Sequence, residues 1–203
     1  MKVLVACEFS GTVRDAFAKR GHYAVSCDLL GTKANGNHVR WDAVLAAYFE
    51  DRWDLMIAHP PCTYLCASGL HWNDRGRGWR ETETALQFVR TLLAAPIPMI
   101  ALENPQGCIG TRIRKADQYI QPYQFGHDAS KKTGLWLKNL PPLKPTRHVK
   151  GRIVVHNNRL AERWANQTDS GQNKLPPSAD RWALRSETYK GIAEAMADQW
   201  GQC

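Results

Sequence analysis

A cysteine and a glutamate each stand at the end of an apolar stretch and together could carry out nucleophilic chemistry. Cys62 follows Pro60 and Pro61, which restrict the backbone that presents the thiol. A thiol attacks as its thiolate, so such a site needs a positive or dipolar setting. Basic residues that could supply this setting are Lys131, Lys132, Arg75, Arg77 and Arg80. A buried structural cysteine is the alternative reading.

Glu103 follows the apolar run MIAL, which carries no other charge. Burial at the end of such a run opposes ionisation, so we expect Glu103 to be an acid that can share a proton with a ring nitrogen. The alternative is an ordinary glutamate at a strand end, held in an ion pair.

The elements that must position these residues alternate between β-rich and helical runs. The predicted strands are KVLVAC, YAVSCD, WDLMIAHPP and IPMIALENP. The predicted helices are TVRDAFAKRG, WDAVLAAYFEDR and ETETALQFVRTLLAAP, the last with Thr82 as its N-cap. This alternation predicts an α/β fold with a mostly parallel central sheet.

Sheets of this kind bind ligands at the carboxyl ends of their strands. Polar or reactive residues follow four of the predicted strands: Phe9-Ser10-Gly11, Asp28, His59-Pro60-Pro61-Cys62 and Glu103-Asn104-Pro105. We therefore expect these four groups to line one edge of the sheet.

The chain is long enough for one domain and carries a basic excess. Of its 203 residues, 27 are Lys or Arg and 19 are Asp or Glu, a net charge of +8. Such an excess suits nucleic acid, because each neutralised phosphate releases counterions. The chain opens directly on a strand, has no apolar run of roughly 20 residues, and has no C-x-x-C pair among its cysteines. We expect reduced thiols, a cytoplasmic location, no membrane contact and no metal.

From about residue 125 the sequence becomes rich in Lys, Arg, Asn, Gly and Pro. This composition predicts exposed loops around one or two short strands, such as Leu135-Trp136-Leu137. A final helix is predicted in SETYKGIAEAMADQW, starting near Ser186 and presenting one apolar face made of Ile192, Ala195, Met196 and Trp200.

Several motifs in this chain resemble those of DNA cytosine-5 methyltransferases. HPPCT at 59–63 resembles their Pro-Pro-Cys motif, and LENP at 102–105 is similar to their Glu-Asn-Val motif. EFSG at 8–11 resembles the start of their Phe-x-Gly-x-Gly motif. FGHDASKKTGLWL at 125–137 resembles their Gln-x-Arg-x-Arg segment, and GIAEAMADQW resembles their C-terminal helix. The order agrees over essentially the whole chain.

The resemblance implies a Rossmann-like fold that uses S-adenosylmethionine, and a reaction on a cytosine flipped out of DNA. Cys62 would add to carbon 6, Glu103 would bond ring N3, and carbon 5 would receive the methyl group. Lys131 and Lys132 would stand for the basic positions of the catalytic site. Asp28 would bind the ribose and Asp42 the adenine amine. The implied cofactor residues are Phe9, Ser10, Gly11, Asp28, Leu29, Asp42 and Pro60.

The chain departs from the family pattern at several positions. Val13 stands where the second glycine is usual, His59 replaces a glycine, and lysines replace arginines in the basic motif. Only residues 138–185 lie where a target-recognition domain is usual. We therefore expect a single monomeric domain over 1–203, with 138–185 as a reduced recognition region or with a partner subunit for target choice.

A short recognition region predicts a short DNA target of about two to four bases, because only base-edge contacts carry sequence information. Candidate base contacts are Asn157-Asn158-Arg159 and Gln172-Asn173-Lys174, and candidate phosphate contacts are Lys131, Lys132, Arg147, Lys150 and Arg152. Residues 63–81 correspond to a mobile catalytic loop in which Arg75, Arg77 and Arg80 could bind phosphates and Trp72 or Trp79 could stack on a base.

Three other hypotheses stay open from the sequence. His59, Cys62, Cys66 and His71 have residue types that bind zinc. A nucleic-acid-binding protein on a decayed methyltransferase fold would explain the missing glycine. The same chemistry could also act on RNA or on a nucleotide.

Overall fold

The computed structural model describes residues 1–49 and 53–203 and is built around a central sheet. The strands of this sheet are β1 (Lys2–Ala6), β2 (Tyr23–Asp28), β3 (His38–Arg40), β4 (Leu55–Ala58), β5 (Met99–Pro105), β6 (Gln118–Ile120) and β7 (Thr133–Lys138). Their order across the sheet is β3-β2-β1-β4-β5-β7-β6. The pairings from β3 to β5 are parallel, whereas β7 runs antiparallel to both β5 and β6.

The helices are α1 (Thr12–Ala18), α2 (Ala43–Phe49), α3 (Ala67–Leu70), α4 (Arg80–Leu93), α5 (Ile109–Arg112), α6 (Arg181–Ser186) and α7 (Lys190–Trp200). Two 3-10 turns lie at Asn73–Arg75 and Pro122–Gln124. Separately from the main sheet, β8 (Arg152–His156) and β9 (Arg159–Arg163) form an antiparallel two-stranded ribbon.

Both faces of the sheet are buried by helices. Successive residues of its inner strands point to opposite faces, so each strand contributes side chains to both. On one face Leu4, Met56 and Ile100 pack against α2 and α4. On the other face Val5 and Ile57 pack against α1 and α7. The predicted apolar stripe of the last helix is confirmed by the burial of Ile192, Ala195, Met196 and Trp200.

The predicted alternation of strands and helices up to residue 105 is confirmed, as is the strand around Trp136. The helix predicted over residues 41–52 is α2, and residues 50–52 lie outside the described residues.

Two predicted helix starts are wrong. Thr82 lies inside α4, which begins at Arg80, and its buried hydroxyl donates to the Tyr64 carbonyl at 3.1 Å. Ser186 ends α6 instead of starting α7, because its hydroxyl donates back to the Ala183 carbonyl at 2.8 Å. The loops expected after residue 138 also contain the β8–β9 ribbon.

No helix in the described part of the chain is long and apolar enough to cross a membrane.

Candidate functional site

A cavity of about 630 Å³ lies beside the carboxyl ends of β1, β2, β3 and β4. From the middle of the sheet, the strands follow the chain outward in two directions: β1, β2 and β3 on one side, and β4 and β5 on the other. The strand order therefore reverses between β1 and β4. Open α/β sheets bind ligands at such a point. The lining includes Cys7, Asp28, Leu29, Trp41, Asp42, Pro61 and Tyr64.

Two carboxylates in this cavity are oriented by the backbone that follows them. Oδ1 of Asp28 accepts a hydrogen bond from the Leu30 N–H at 2.9 Å. Oδ1 of Asp42 accepts from the N–H groups of Val44 and Leu45 at 2.8 and 3.1 Å and so caps α2. The cavity thus combines two fixed hydrogen-bond acceptors with apolar walls.

The loop after β1 is organised by a buried glutamate. Glu8 is 4% exposed, and its carboxylate accepts hydrogen bonds from the N–H groups of Val13 and Arg14 at 2.7 and 3.2 Å. Burial raises the pKa of Glu8, although the charge of His59 and these N–H groups act against it. Ser10 donates to the same carboxylate at 3.2 Å. The N-terminus of α1 is therefore capped from within the chain.

Gly11 precedes α1 with a φ of +77°, a conformation that favours glycine. A Cβ there would lie 2.4 Å from the guanidinium of Arg14, which is 1% exposed and donates to Ser26 and to the Asn35 carbonyl. This buried arginine holds the loop after β2 against α1. Phe9 is buried and packs on Trp182 of α6. Phe9, Ser10 and Gly11 do not line the cavity of Asp28 and Asp42.

A second cavity, of about 650 Å³, contains the predicted nucleophile. Its lining includes Cys62, Cys66, Ser68, Ser130, Lys131, Lys132, Asn166, Asn173, Lys174 and Arg185. Pro61 lines the first cavity and Cys62 the second, so consecutive residues face two different spaces. Pro60 is buried and lines neither; its carbonyl accepts a hydrogen bond from Nδ2 of Asn104 at 2.7 Å. That bond ties the end of β4 to the end of β5.

The ionisation of the Cys62 thiol depends on its neighbours. A hydrogen bond with Cys66 raises the pKa of Cys62, burial raises it further, and the charge of Lys131 acts in the opposite direction. The backbone N–H of Cys66 donates to the Cys62 carbonyl at 2.9 Å, which places the two residues on one tight turn. The expected positive setting is therefore present in Lys131 but is outweighed by the second cysteine.

Glu103 is held by three partners that favour its charged form. Burial raises its pKa, but the hydrogen bond with His59, the charge of Lys131 and a hydrogen bond with Thr133 outweigh burial, so the pKa of Glu103 is lowered. Nδ1 of His59 and Oε2 of Glu103 are 2.9 Å apart. The expectation that burial alone would make Glu103 a ready proton donor is wrong, because these neighbours stabilise the carboxylate.

His59 bridges two parts of the site. Its side chain is 8% exposed, and among the described residues its buried Nε2 has no hydrogen-bond partner. The charge of His59 also acts to lower the pKa of Glu8, so His59 lies between the loop after β1 and Glu103.

The two lysines of the basic segment have different surroundings. Lys131 is half-buried, and its Nζ donates to the Arg185 carbonyl at 2.9 Å. Lys132 is exposed, with its Nζ 4.6 Å from the centre of the Tyr119 ring. The segment itself is fixed by Asn166, which accepts from the Ser130 N–H and donates to the Ser130 carbonyl, both at 2.9 Å.

The segment 63–81 is folded onto the body of the protein. Arg77 donates to Asn73, which is 4% exposed, and to the Gly69 carbonyl at 2.9 Å, so its guanidinium is used internally. Arg80 lines the first cavity. Trp72 is 52% exposed and Trp79 37%, so both could still stack on a ligand.

The four residues considered for zinc do not converge. His71 is exposed and lies against Trp72, whereas His59 bonds Glu103. In residues 1–49 and 53–203, no group of three or more His, Cys, Asp or Glu side chains could hold a metal ion.

Three residues of this site were missed by the sequence reasoning. Cys66 was considered only as a zinc ligand, His59 as a zinc ligand and a departure from a motif but not as a partner of Glu103, and Asn166 not at all. The spacing of Cys62 and Cys66 was the one available signal, because four residues make one helical turn.

No protein-family model matches the chain, and no curated protein matches it. Among solved structures, the chain is similar to one from E. coli whose description reads "putative DNA modification methyltransferase encoded within prophage". The TM-score is 0.51 and the identity 14%, over 73% of this chain and 52% of that chain. The predicted fold class is confirmed. It is a Rossmann-like α/β fold with a mostly parallel sheet, and this chain spans about half of its structural neighbour.

Proposed function

We propose that this protein transfers a methyl group from S-adenosylmethionine to carbon 5 of cytosine in DNA, through a covalent adduct with Cys62. One observation carries the proposal: Pro61 and Cys62, next to each other in the chain, face the carboxylate-bearing cavity and the cysteine-bearing cavity respectively. A group-transfer enzyme needs its donor and acceptor sites in contact. The prophage methyltransferase of similar fold supports this reading.

The first cavity suits S-adenosylmethionine. Its volume of about 630 Å³ lies in the range of small-molecule sites. Asp28 can accept hydrogen bonds from ribose hydroxyls, Asp42 can accept one from the adenine amine, and Leu29, at 70% exposure, offers an apolar wall. The bound cofactor would supply the methyl group. Phe9, Ser10 and Gly11 would shape the loop beside it, and Pro60 would set the position of Pro61.

In the second cavity, the Cys62 thiolate would form a bond to carbon 6 of a flipped cytosine. Glu103 rests as a carboxylate, so its role is to stabilise the positive charge that develops when ring N3 takes up a proton. The positive charge of Lys131 acts to lower the pKa of both Cys62 and Glu103, so it would favour the negative charge on each. Lys132, which is exposed and lines the same cavity, would contact a phosphate.

The region 138–185 would contact DNA through the β8–β9 ribbon. A two-stranded ribbon fits the major groove of DNA. Asn157 and Asn158 form its tip with φ of 49° and 58°, as in the tightest hairpin turns. Five paired residues span about 16 Å, which is about five base pairs, and this supports a short target. The cytosine would be presented by duplex DNA bound to one copy of the chain.

Trapping on modified DNA tests the proposal directly. Duplex DNA containing 5-fluorocytosine blocks release of the adduct, so the wild type should form a protein–DNA complex that survives denaturing electrophoresis in the presence of S-adenosylmethionine. Cys62→Ala should form no complex and produce no 5-methylcytosine. Cys108→Ala, which changes a buried thiol that lines neither cavity, should trap normally. Methyl transfer at the wild-type rate by Cys62→Ala would exclude the mechanism, and activity on RNA alone would reassign the substrate.

A further inference from the structure

Within the described part of the chain, the side chain of His59 makes one hydrogen bond, and its partner is Glu103. Nδ1 of His59 and Oε2 of Glu103 are 2.9 Å apart, and the two side chains are 8% and 12% exposed. The buried Nε2 has no hydrogen-bond partner among residues 1–49 and 53–203. Buried polar atoms in native proteins are normally paired, so the bond to Glu103 is the interaction that orients this ring.

The backbone brings the two residues together at the carboxyl ends of neighbouring strands. Ala58 of β4 pairs with Leu102 of β5 in parallel register. His59 and Glu103 each lie one residue further along, and side chains at matching positions of adjacent strands point to the same face of the sheet. The N–H of His59 donates to the Ala6 carbonyl at 2.9 Å. This bond continues the pairing of β4 with β1 and fixes the histidine beside the glutamate.

The charge of Glu103 decides the direction of the hydrogen bond. The pKa of Glu103 is lowered, so the side chain is a carboxylate at neutral pH. A carboxylate only accepts hydrogen bonds, so the proton lies on Nδ1 of His59. A carboxylate has about four lone-pair sites, so this bond can fix its orientation and still leave sites for a ligand. Lys131 acts on Glu103 through its charge, because its Nζ donates to the Arg185 carbonyl at 2.9 Å.

We propose that His59 is the positioning residue of Glu103. This inference rests on the proposed function, in which the Glu103 carboxylate meets ring N3 of the flipped cytosine. The Nδ1–H of His59 holds one carboxylate oxygen, so the carboxylate meets the ring in one orientation. His59 lines neither cavity. It therefore acts on the reaction through Glu103 and not by contact with the donor or the base.

Two substitutions of nearly equal shape separate the hydrogen bond from the space that the ring fills. In asparagine an amide nitrogen is bonded to Cγ, as Nδ1 is in histidine, whereas leucine carries a methyl group there. At saturating DNA and S-adenosylmethionine, His59→Leu should lower the single-turnover rate of methyl transfer by at least about tenfold, since small displacements of a catalytic group are costly. His59→Asn should recover most of that loss.

The affinity for the donor and a second histidine provide the controls. In both His59 variants the Kd for S-adenosylmethionine should stay within about twofold of the wild-type value, because an interaction used only in the reaction lowers the rate and not the binding. His22→Leu changes a histidine just before β2, at the amino end of that strand and away from Asp28, and should react at the wild-type rate.

NMR of the protein without DNA tests the hydrogen bond itself. Nitrogen-15 spectra of labelled histidines show which ring nitrogen carries the proton, and the signals missing from His59→Asn identify His59. At neutral pH we expect a proton on Nδ1 of His59. An unprotonated Nδ1 would overturn the inference, because the carboxylate would then have no donor from this ring.

The outcomes separate the inference from the proposed function. A protonated Nδ1 in a wild type that makes no 5-methylcytosine supports the bond between His59 and Glu103 and overturns the function. Wild-type rates in folded His59→Leu, or equal losses of rate in His59→Leu and His59→Asn, overturn the positioning role. A loss of S-adenosylmethionine binding that matches the loss of rate also overturns it, since His59 would then support the donor site.

Discussion

Glu103 illustrates how neighbouring side chains decide the charge of a buried group. Its carboxylate is 12% exposed, which on its own would favour the neutral acid. His59 at 2.9 Å, together with Lys131 and Thr133, reverses that preference. These neighbours therefore keep Glu103 negatively charged. Under the proposed function, that charge would stabilise the cytosine ring when it becomes positive.

This setting predicts an acid-dependent loss of stability. The pKa of Glu103 is lowered on folding, so its ionisation stabilises the folded state. This contribution to the free energy of unfolding is complete above the unfolded-state pKa of about 4.3 and is lost as the pH falls through the folded-state pKa. The difference in unfolding free energy between wild type and Glu103→Gln should therefore shrink as the pH falls from about 6 to 3. Urea denaturation at a series of pH values measures it. A difference that grows towards acid would contradict the prediction.

Among the structural elements, the segment around Ser130 is held by the side-chain amides of Gln121 and Asn166, the second of which comes from the 138–185 region. The amide of Asn166 makes two hydrogen bonds of 2.9 Å to the backbone of Ser130, which precedes Lys131. The region proposed for target recognition thus also positions Lys131, which lines the same cavity as Cys62.

Asn166→Ala should therefore lower methyl transfer more than it lowers stability. Two hydrogen bonds to a half-buried segment predict a loss of about 1–3 kcal/mol of stability. At saturating DNA the rate should fall by at least about tenfold, since small displacements of a catalytic group are costly. Single-turnover kinetics gives the rate. Asn173→Ala, which changes an amide on the same cavity, is the control; equal rates for the two variants would contradict the proposed role.

Two arginines of the ribbon have different surroundings: Arg152 is hydrogen-bonded within the chain, and Arg159 is exposed at the tip. Arg152 donates to Asp169 at 2.7 Å and to the carbonyls of Trp164 and Gln167, so its guanidinium is used within the chain, and its contact with phosphates stays a prediction. Trp164 stacks on Tyr123 at 4.0 Å and anchors the ribbon to the body. Arg159 at the tip is exposed and has no side-chain hydrogen bond or ion pair within residues 1–49 and 53–203.

Arg159→Gln should weaken DNA binding. If Arg159 contacts a phosphate, the salt dependence of log K should become shallower by about one unit. If it contacts a base edge, the loss of about 1–3 kcal/mol should apply to the preferred sequence only. Fluorescence anisotropy over a range of salt concentrations distinguishes the two. Lys115→Gln, an exposed lysine just before β6 and outside the ribbon, is the control, and an equal loss there would show that only net charge matters.

At the scale of the whole molecule, the parallel part of the fold was predictable and the catalytic surroundings were not. Apolar runs such as those of β1, β4 and β5 must be buried on both faces, so their pattern fixes the sheet and the edge where Asp28, Cys62 and Glu103 gather. The hydrogen bonds from Asn166 to Ser130 join segments that are 36 residues apart in the sequence. No local pattern encodes such a contact, whereas the four-residue spacing of Cys62 and Cys66 is visible in the sequence.

The cofactor proposal predicts a gain in thermal stability. S-adenosylmethionine at about 100 times its Kd should stabilise the protein by about 2.7 kcal/mol. For a chain of this size, that raises the Tm by roughly 5–10 °C. Asp28→Ala should lose most of the shift, because a carboxylate partner of the ribose is removed. Asp198→Ala, on α7 and paired with Arg20, should keep it. Thermal denaturation by circular dichroism measures the shift, and an absent shift in wild type would exclude the cofactor assignment.

The peptide bond between Pro61 and Cys62 has a thermodynamic consequence. Consecutive Cα atoms are about 3.8 Å apart and cannot separate, so a shift of one cavity wall is transmitted to the other. We therefore expect occupancy of the two cavities to be linked. Linkage is reciprocal, so whatever factor the proposed donor applies to the affinity for DNA, DNA must apply to the affinity for the donor. Titrations of each ligand with and without the other would therefore close a cycle with a single coupling free energy.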